Sequence, residues 1–458
     1  MYVPPRPQAL SAVAALVRAA VRGDGDLLSL LPKEAYHIEA GWLGYSRRSI
    51  LIVNAPELTR RIMADTTDVF PKNDLMVGAL EPLVGDSIFV SSGDLWRRQR
   101  RMIDPAFSHI RLNRAFTFMA SAVDDYEVEL ERRADSRELF SLDLAMSQLT
   151  ADVITRTVFS TSLKSQTARD VFESFSEFER SVAHVELRRL ILDKPWAKIP
   201  QHASVLAACA LIRKHLGDLV DTHMTESGQS YNDIAAAVIG AHDDDTGTTF
   251  TRAEVIDQLG VFFLAGHETT ASALTWVFFI LATQPNVLAR MRQEISNVVG
   301  DGPVEIEHTK RMTYVRNVFR ETLRLYPPIT FIPRVATEAT EIGKFRVKRG
   351  AMLMISPWTI HRHDRYWTNP HAFDPDRFSA EREHALVPGT YMPFGQGPRV
   401  CIGAAFATTE STLILARLAR RFDFQVFDAH TVRPVARLTT SPSQQIRCRV
   451  TRREADAN

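Results

Sequence analysis

Cysteine is scarce in this chain of 458 residues: Cys209, Cys401 and Cys448 stand far apart. Three scattered thiols exclude a disulfide framework and fit a reducing compartment, the cytoplasm. Net charge is equally slight. Lysine and arginine number 55 against 54 acids, a formal +1, so no basic surplus points to nucleic acid or an anionic membrane as a partner. No apolar run is long enough to anchor the chain in a bilayer. The first candidate, residues 10–21, is short and broken by Arg18. It reads as an amphipathic helix rather than a span, and it lacks the layout of a signal peptide. Internal repeats and low-complexity tracts are missing too. What remains is a globular composition, 45% hydrophobic and 24% charged, long enough to bury a large core.

Most of the chain reads as helix. Short β-like patches occur at residues 36–53, at 344–355 and near the C-terminus, so the fold class is mainly α with a minor β region. Residues 72–92 mix apolar side chains with glycine, proline and serine and read as a long, irregular connection. Residues 168–216 read as two helices with a break around Pro195 and Pro200. The longest helix is predicted over 251–283. Thr251 and Glu254 form a capping box at its start, Pro285 marks its end, and its length is roughly 50 Å. Its middle reads AGHETT, residues 265–270. Gly266, His267 and two threonines are poor choices for the centre of a buried helix. Thr269 can bond back to the carbonyl of Ala265 and open the helical ladder. A local conflict in an otherwise ideal helix points to function; a tolerated polar patch facing a cavity is the bland alternative.

The densest signal is FGQGPRVCIG, from Phe394 to Gly403. Cys401 ends a glycine-rich loop and opens a helix rich in alanine, leucine and threonine. Glycines let the backbone approach a flat ligand closely. Loop N–H groups and the helix N-terminus stabilise an anionic sulfur and lower its pKa. That describes a thiolate metal ligand, although a buried cysteine acting as a small hydrophobe is common.

The pattern Phe-x-x-Gly-x-Arg-x-Cys-x-Gly is complete in Phe394, Gly397, Arg399, Cys401 and Gly403. Through it the sequence resembles the cytochrome P450 superfamily, and further motifs follow in the expected order over nearly the whole chain. The resemblance implies one haem domain, residues 1–458. It implies the P450 fold, with haem b (iron protoporphyrin IX) held between a long central helix and the loop of Cys401, the iron ligand. Phe394 and Gly403 frame that loop. The implied activity is that of a haem-thiolate monooxygenase, which places one atom of O2 in a hydrophobic small molecule. AGHETT then becomes the oxygen-binding groove: Gly266 opens it, and Glu268 and Thr269 are the acid–alcohol pair that guides protons. His267, beside them, is not expected to ligate iron.

GDLWRRQRRMIDPAF places Trp96 and Arg100 on one helix face and Arg97, Arg98 and Arg101 on the other. Alone this is a solvated helix face. The resemblance implies that Trp96 and Arg100 bind a haem propionate, with Arg334 and Arg399 as further propionate ligands, and that Arg97, Arg98 and Arg101 are free to meet an acidic electron donor. Glu321 and Arg324, alone an ordinary surface pair, are implied to form a buried structural network with Arg377. Candidate pocket residues are Met76, Val77, Leu80, Leu83 and Ile88 in the irregular connection. Phe262, Phe263 and Ala265 join them from the long helix, with Ile329, Phe331, Ile332 and Leu438 beyond it. All are apolar apart from their backbone, which favours a terpenoid, steroid, fatty acid or aromatic. Arg47 reads as a solvated turn residue that could also anchor a carboxylate. No flavin or nicotinamide segment is apparent, so electrons are expected from a separate ferredoxin or flavodoxin with its reductase. A monomer is expected. A peroxide-driven peroxygenase and a non-catalytic haem sensor are the alternatives; peroxide-driven relatives typically lack the acid–alcohol pair that is present here.

Overall fold

The computed structural model describes residues 2–8, 10–11, 13–15, 18, 26–43, 49–182, 201–225 and 231–453. Arg47, Pro195 and Pro200 lie outside them. A mixed sheet stands at one side. Strands β1 (Ala40–Leu43) and β2 (Ile50–Val53) pair antiparallel. In the same sheet β3 (Ile332–Val335) runs antiparallel to β4 (Met352–Ile355), and β4 runs parallel to β2. Strand β2 is buried throughout, ILIV, as expected of an inner strand covered on both faces.

The rest is mostly helical. Residues 72–92, expected as an irregular connection, contain helix α1 (Asp74–Val84). Asn73 caps it by accepting from the N–H of Leu75 at 2.9 Å. The misleading signal was Pro82, tolerated inside the last turn, and Gly85, which ends the helix at φ +50°. Helix α2 (Gly93–Ile103) follows, then α3 (His109–Ser136), α4 (Leu142–Phe159), α5 (Gln166–Val182) and α6 (Ala203–Thr225).

Helix α7 (Arg252–Thr283) runs through the middle of the main core. Thr251 Oγ1 accepts from Glu254 N at 3.2 Å and Thr251 N donates to Glu254 Oε2 at 2.8 Å, the reciprocal capping box. The helix packs on α4, and Gly266 makes room for Ile154 there. A Cβ at Gly266 would stand 2.6 Å from the terminal carbon of the Ile154 side chain, so a larger residue would force that side chain to shift.

Helix α8 (Thr313–Leu325) carries Glu321 and Arg324, and α9 (Ala404–Arg421) follows the Cys401 loop. Strand β5 (Phe422–Val426) leads to a two-stranded sheet of β6 (Pro434–Ala436) and β7 (Thr440–Pro442), and β8 (Arg447–Arg452) pairs back on β5. Among the described residues no single helix is long and apolar enough to cross a membrane.

Candidate active site

A cavity of about 820 Å³ opens between α7 and the Cys401 loop. Both walls were legible in the sequence. From the loop come Phe394, Arg399, Cys401 and Gly403; from α7 come Ala265, Gly266 and Thr269.

The loop is held by its own backbone. Cys401 N donates to Phe394 O at 2.9 Å. Gly397 sits at φ +74°, and a Cβ there would fall 2.4 Å from the carbonyl oxygen of Met63. Only glycine fits that turn. Burial raises the Cys401 thiol pKa, while the Gly403 backbone and Arg100 pull it down. The loop therefore does not make a free thiolate by itself, contrary to the expectation of a lowered pKa. A metal ion deprotonates a coordinating thiol outright, and the two downward influences favour that state.

Glu321, Arg324 and Arg377 meet in the core. Arg324 forks onto Glu321 with two contacts of 2.7 Å, both side chains 0% exposed. Arg377 Nε reaches the same carboxylate at 3.3 Å. The remaining donors of Arg324 end on the carbonyls of His361, Pro370 and Ala372. The His361 ring accepts from the N–H of Met392 at 2.9 Å, two residues before Phe394. Burial drives its pKa down to about 3, so it stays neutral and able to accept. The network thus reaches the start of the Cys401 loop.

A second set of cations faces the cavity. Arg334 lies on β3 and is 4% exposed. Arg399 stacks on Trp96 at 4.3 Å and donates to Ser91 O at 3.0 Å. Lys72, which the sequence reading missed, bridges to Arg334 in the backbone and donates to Phe89 O. Burial and the neighbouring Arg399 bring the Arg334 pKa down to about 10, and burial with Arg399 and Arg334 drives Lys72 well down. None of the three has a carboxylate at ion-pair distance among the described residues. Three cations on one wall, each with its charge disfavoured by burial and none with such an acid partner, suit a ligand bearing carboxylates, as the two propionates of protoporphyrin do. Arg100 also lines the cavity, but it is shared between Val400 O at 2.9 Å and Asp104 at 2.7 Å.

Thr269 Oγ1 donates to Ala265 O at 2.6 Å, the back-bond that the sequence suggested. Glu268 does not line the cavity. Its Oε1 accepts from Thr439 Oγ1 at 2.6 Å, in the turn between β6 and β7. His267 points away, towards Ser147 on α4, at 2.8 Å.

Met76, Leu80, Ile88 and Phe262 line the cavity, as do Ile329, Phe331, Ile332 and Leu438. Val77, Leu83 and Phe263 do not. Successive helical residues point about 100° apart. Phe262 thus meets Phe107 beside the cavity, while Phe263 stacks on Phe175 with ring centres 4.5 Å apart. Val77 and Leu83 turn into the main core. Glu410 on α9 is a further wall residue that the sequence reading missed.

Arg97, Arg98 and Arg101 are not free cations. Arg97 pairs with Asp94 at 3.1 Å and Asp68 at 3.5 Å. Arg98 pairs with Glu254, the capping acid of α7, at 2.9 Å, and Arg101 with Asp243 at 3.0 Å and Asp245 at 2.8 Å. Asp94 lies one turn earlier on the same helix, but the other acids come from distant segments, which spacing along one helix could not reveal.

The family model for Cytochrome P450 matches residues 7–447. Cyclooctatin synthase of Streptomyces melanosporofaciens is 31% identical over 406 residues, covering 87% of this chain and 86% of that protein. Pentalenene oxygenase of Streptomyces avermitilis is 28% identical, covering 87% of each. Among solved structures, the cytochrome P450DA heme domain superposes with a TM-score of 0.79 at 21% identity, covering 99% of this chain and 97% of that one.

Proposed function

The chain belongs to the cytochrome P450 family and is a haem-dependent monooxygenase, and from that premise we propose that it hydroxylates a hydrophobic terpenoid skeleton, drawing electrons from a separate ferredoxin or flavodoxin. The observation that carries this is the meeting of Cys401 and Thr269 on opposite walls of one largely apolar cavity. Two relatives, named cyclooctatin synthase and pentalenene oxygenase, support the substrate class. Steroids, fatty acids and aromatics stand behind it.

The whole chain works as one haem unit. Cys401 ligates the iron, and Lys72, Arg334 and Arg399, with Trp96 and Arg100, hold the propionates of haem b. When bound, the haem supplies oxygen activation, which thiolate ligation favours. Gly266 leaves room for the Ile154 side chain of α4. Thr269 Oγ1 holds a proton at the distal wall, and Glu268, anchored by Thr439, is the acid that restores it. Glu321, Arg324 and Arg377 fix the loop. Arg97 and Arg101, half open to solvent on the helix that touches Val400 through Arg100, border the donor's approach, while Arg98 holds the start of α7. Buried free thiols at Cys209 and Cys448 support a reducing, cytoplasmic setting.

The test is the reduced carbon monoxide spectrum together with turnover. Wild type is expected to give the red-shifted Soret band of thiolate ligation, and Cys401→Ser to lose it. With a ferredoxin and reductase, terpene substrates should yield hydroxylated product. Thr269→Ala should keep the band but release more peroxide and less product per reduced cofactor consumed. A Cys401→Ser protein that retains the band ends the reading.

A further inference from the structure

One more cation lines the cavity. Arg437 directly follows β6 in the turn to β7. Its Nε is buried without an acceptor, and none of the described residues places a carboxylate at ion-pair distance from it. Asp26 is engaged elsewhere: it accepts from Leu28 N at 3.0 Å and from Ala436 N at 2.9 Å. The charges that depress Lys72 are Arg399 and Arg334, and the charge that depresses Arg334 is Arg399. Arg437 is not among them.

Its neighbours place it on the substrate side. Leu438 lines the same cavity. Thr439 donates to Glu268, the residue before Thr269. Two residues of chain span at most ~7 Å, so Arg437 is rooted beside the distal helix. Other positions on the wall of this cavity, such as Phe262, Ile329 and Phe331, are apolar. A guanidinium with an unpaired buried N–H in such a wall is costly unless a ligand supplies an acceptor. Its planar fork matches a carboxylate best, since two parallel bonds then form and the charge is compensated.

We propose that Arg437 binds the acidic end of the substrate, a largely hydrocarbon molecule carrying one carboxylate, so that a carbon remote from that group faces the wall beside Thr269. This rests on the monooxygenase reading above and narrows its substrate from a plain terpene to a terpenoid or aliphatic acid.

The experiment compares matched ligands on the haem-loaded protein by the Soret shift on binding. The probes are abietic acid and its methyl ester, and dodecanoic acid and its methyl ester. Wild type is expected to bind each acid at least about ten-fold more tightly than its ester, the scale of one charge-assisted hydrogen bond. Arg437→Leu should lose that preference, bind the esters as wild type does, and keep the carbon monoxide band. Arg437→Lys should retain part of the preference. If Arg437→Leu fails to fold, Arg437→Gln carries the same comparison. Acid and ester binding equally to wild type, or an acid preference that survives Arg437→Leu, would overturn the role of Arg437 while leaving the hydrophobic-substrate reading standing. If neither acids nor esters shift the Soret band of a protein with an intact carbon monoxide band, both fall together.

Discussion

The protein buries two groups of cations and treats them differently. Arg324 and Arg377 close on Glu321 and on backbone carbonyls, with Glu321 and Arg324 0% exposed. Lys72, Arg334 and Arg399 face a cavity, repel one another and have only neutral partners such as Phe89 O and Ser91 O. Buried ions are tolerable when their charge is matched. The first group carries its own acid and is therefore architecture. The second needs an acid from outside and is therefore a binding site. Glu410 is the inverse of the second group: a buried carboxyl on the same cavity with no partner at Oε1.

The contrast is broken most severely by Glu321→Gln. The amide keeps the shape but leaves two buried guanidiniums without a counter-charge. A loss of about 3–5 kcal/mol is expected, read as a lower urea midpoint, with less carbon monoxide band per mole of chain because the loop loses its support. A variant that unfolds at the wild-type midpoint would show that the carbonyls alone suffice.

Arg334→Leu should act in the opposite sense on the two states. Without haem, removing one repelling cation should leave stability unchanged or slightly raised. With haem, one charge-assisted hydrogen bond worth about 1.5–3 kcal/mol is lost, so haem should pass to apomyoglobin about ten-fold faster or more. Equal destabilisation of both states would make Arg334 architecture like Arg324.

What the sequence allowed follows the same division. The loop pattern located Cys401, and the capping box located the start of α7, because both are local: their partners lie within a few residues. Thr269 was legible for the same reason, its acceptor being four residues back. Lys72, Glu410 and Arg437 were not. Each is a single charge among ordinary neighbours, and only packing decides that it faces a cavity rather than water. The pairing of Arg98 with Glu254, 156 residues away, was hidden likewise. Phe263 failed more narrowly, on the right helix but the wrong face, while Val77 failed because its segment was expected to be irregular and is helical.

Glu410 offers the subtlest test of matched against unmatched burial. Burial raises its pKa from the ordinary carboxyl value to about 8. Below pH ~4.5 it is protonated in both folded and unfolded chains and contributes no slope. Between that value and about 8 the folded protein holds a proton that the unfolded chain has released. Stability must therefore fall as pH rises through this window, by about 1.4 kcal/mol per unit, and the loss levels off above it. Glu410→Gln cannot ionise, so it should lack this slope and gain on wild type steadily from pH 6 to pH 8. Taking the difference between the two proteins cancels the titrations they share. Urea midpoints at pH 6, 7 and 8 measure it. A constant difference across the three would mean that Glu410 finds a cation or enough water in the folded protein, and that the cavity has no unmatched acid after all.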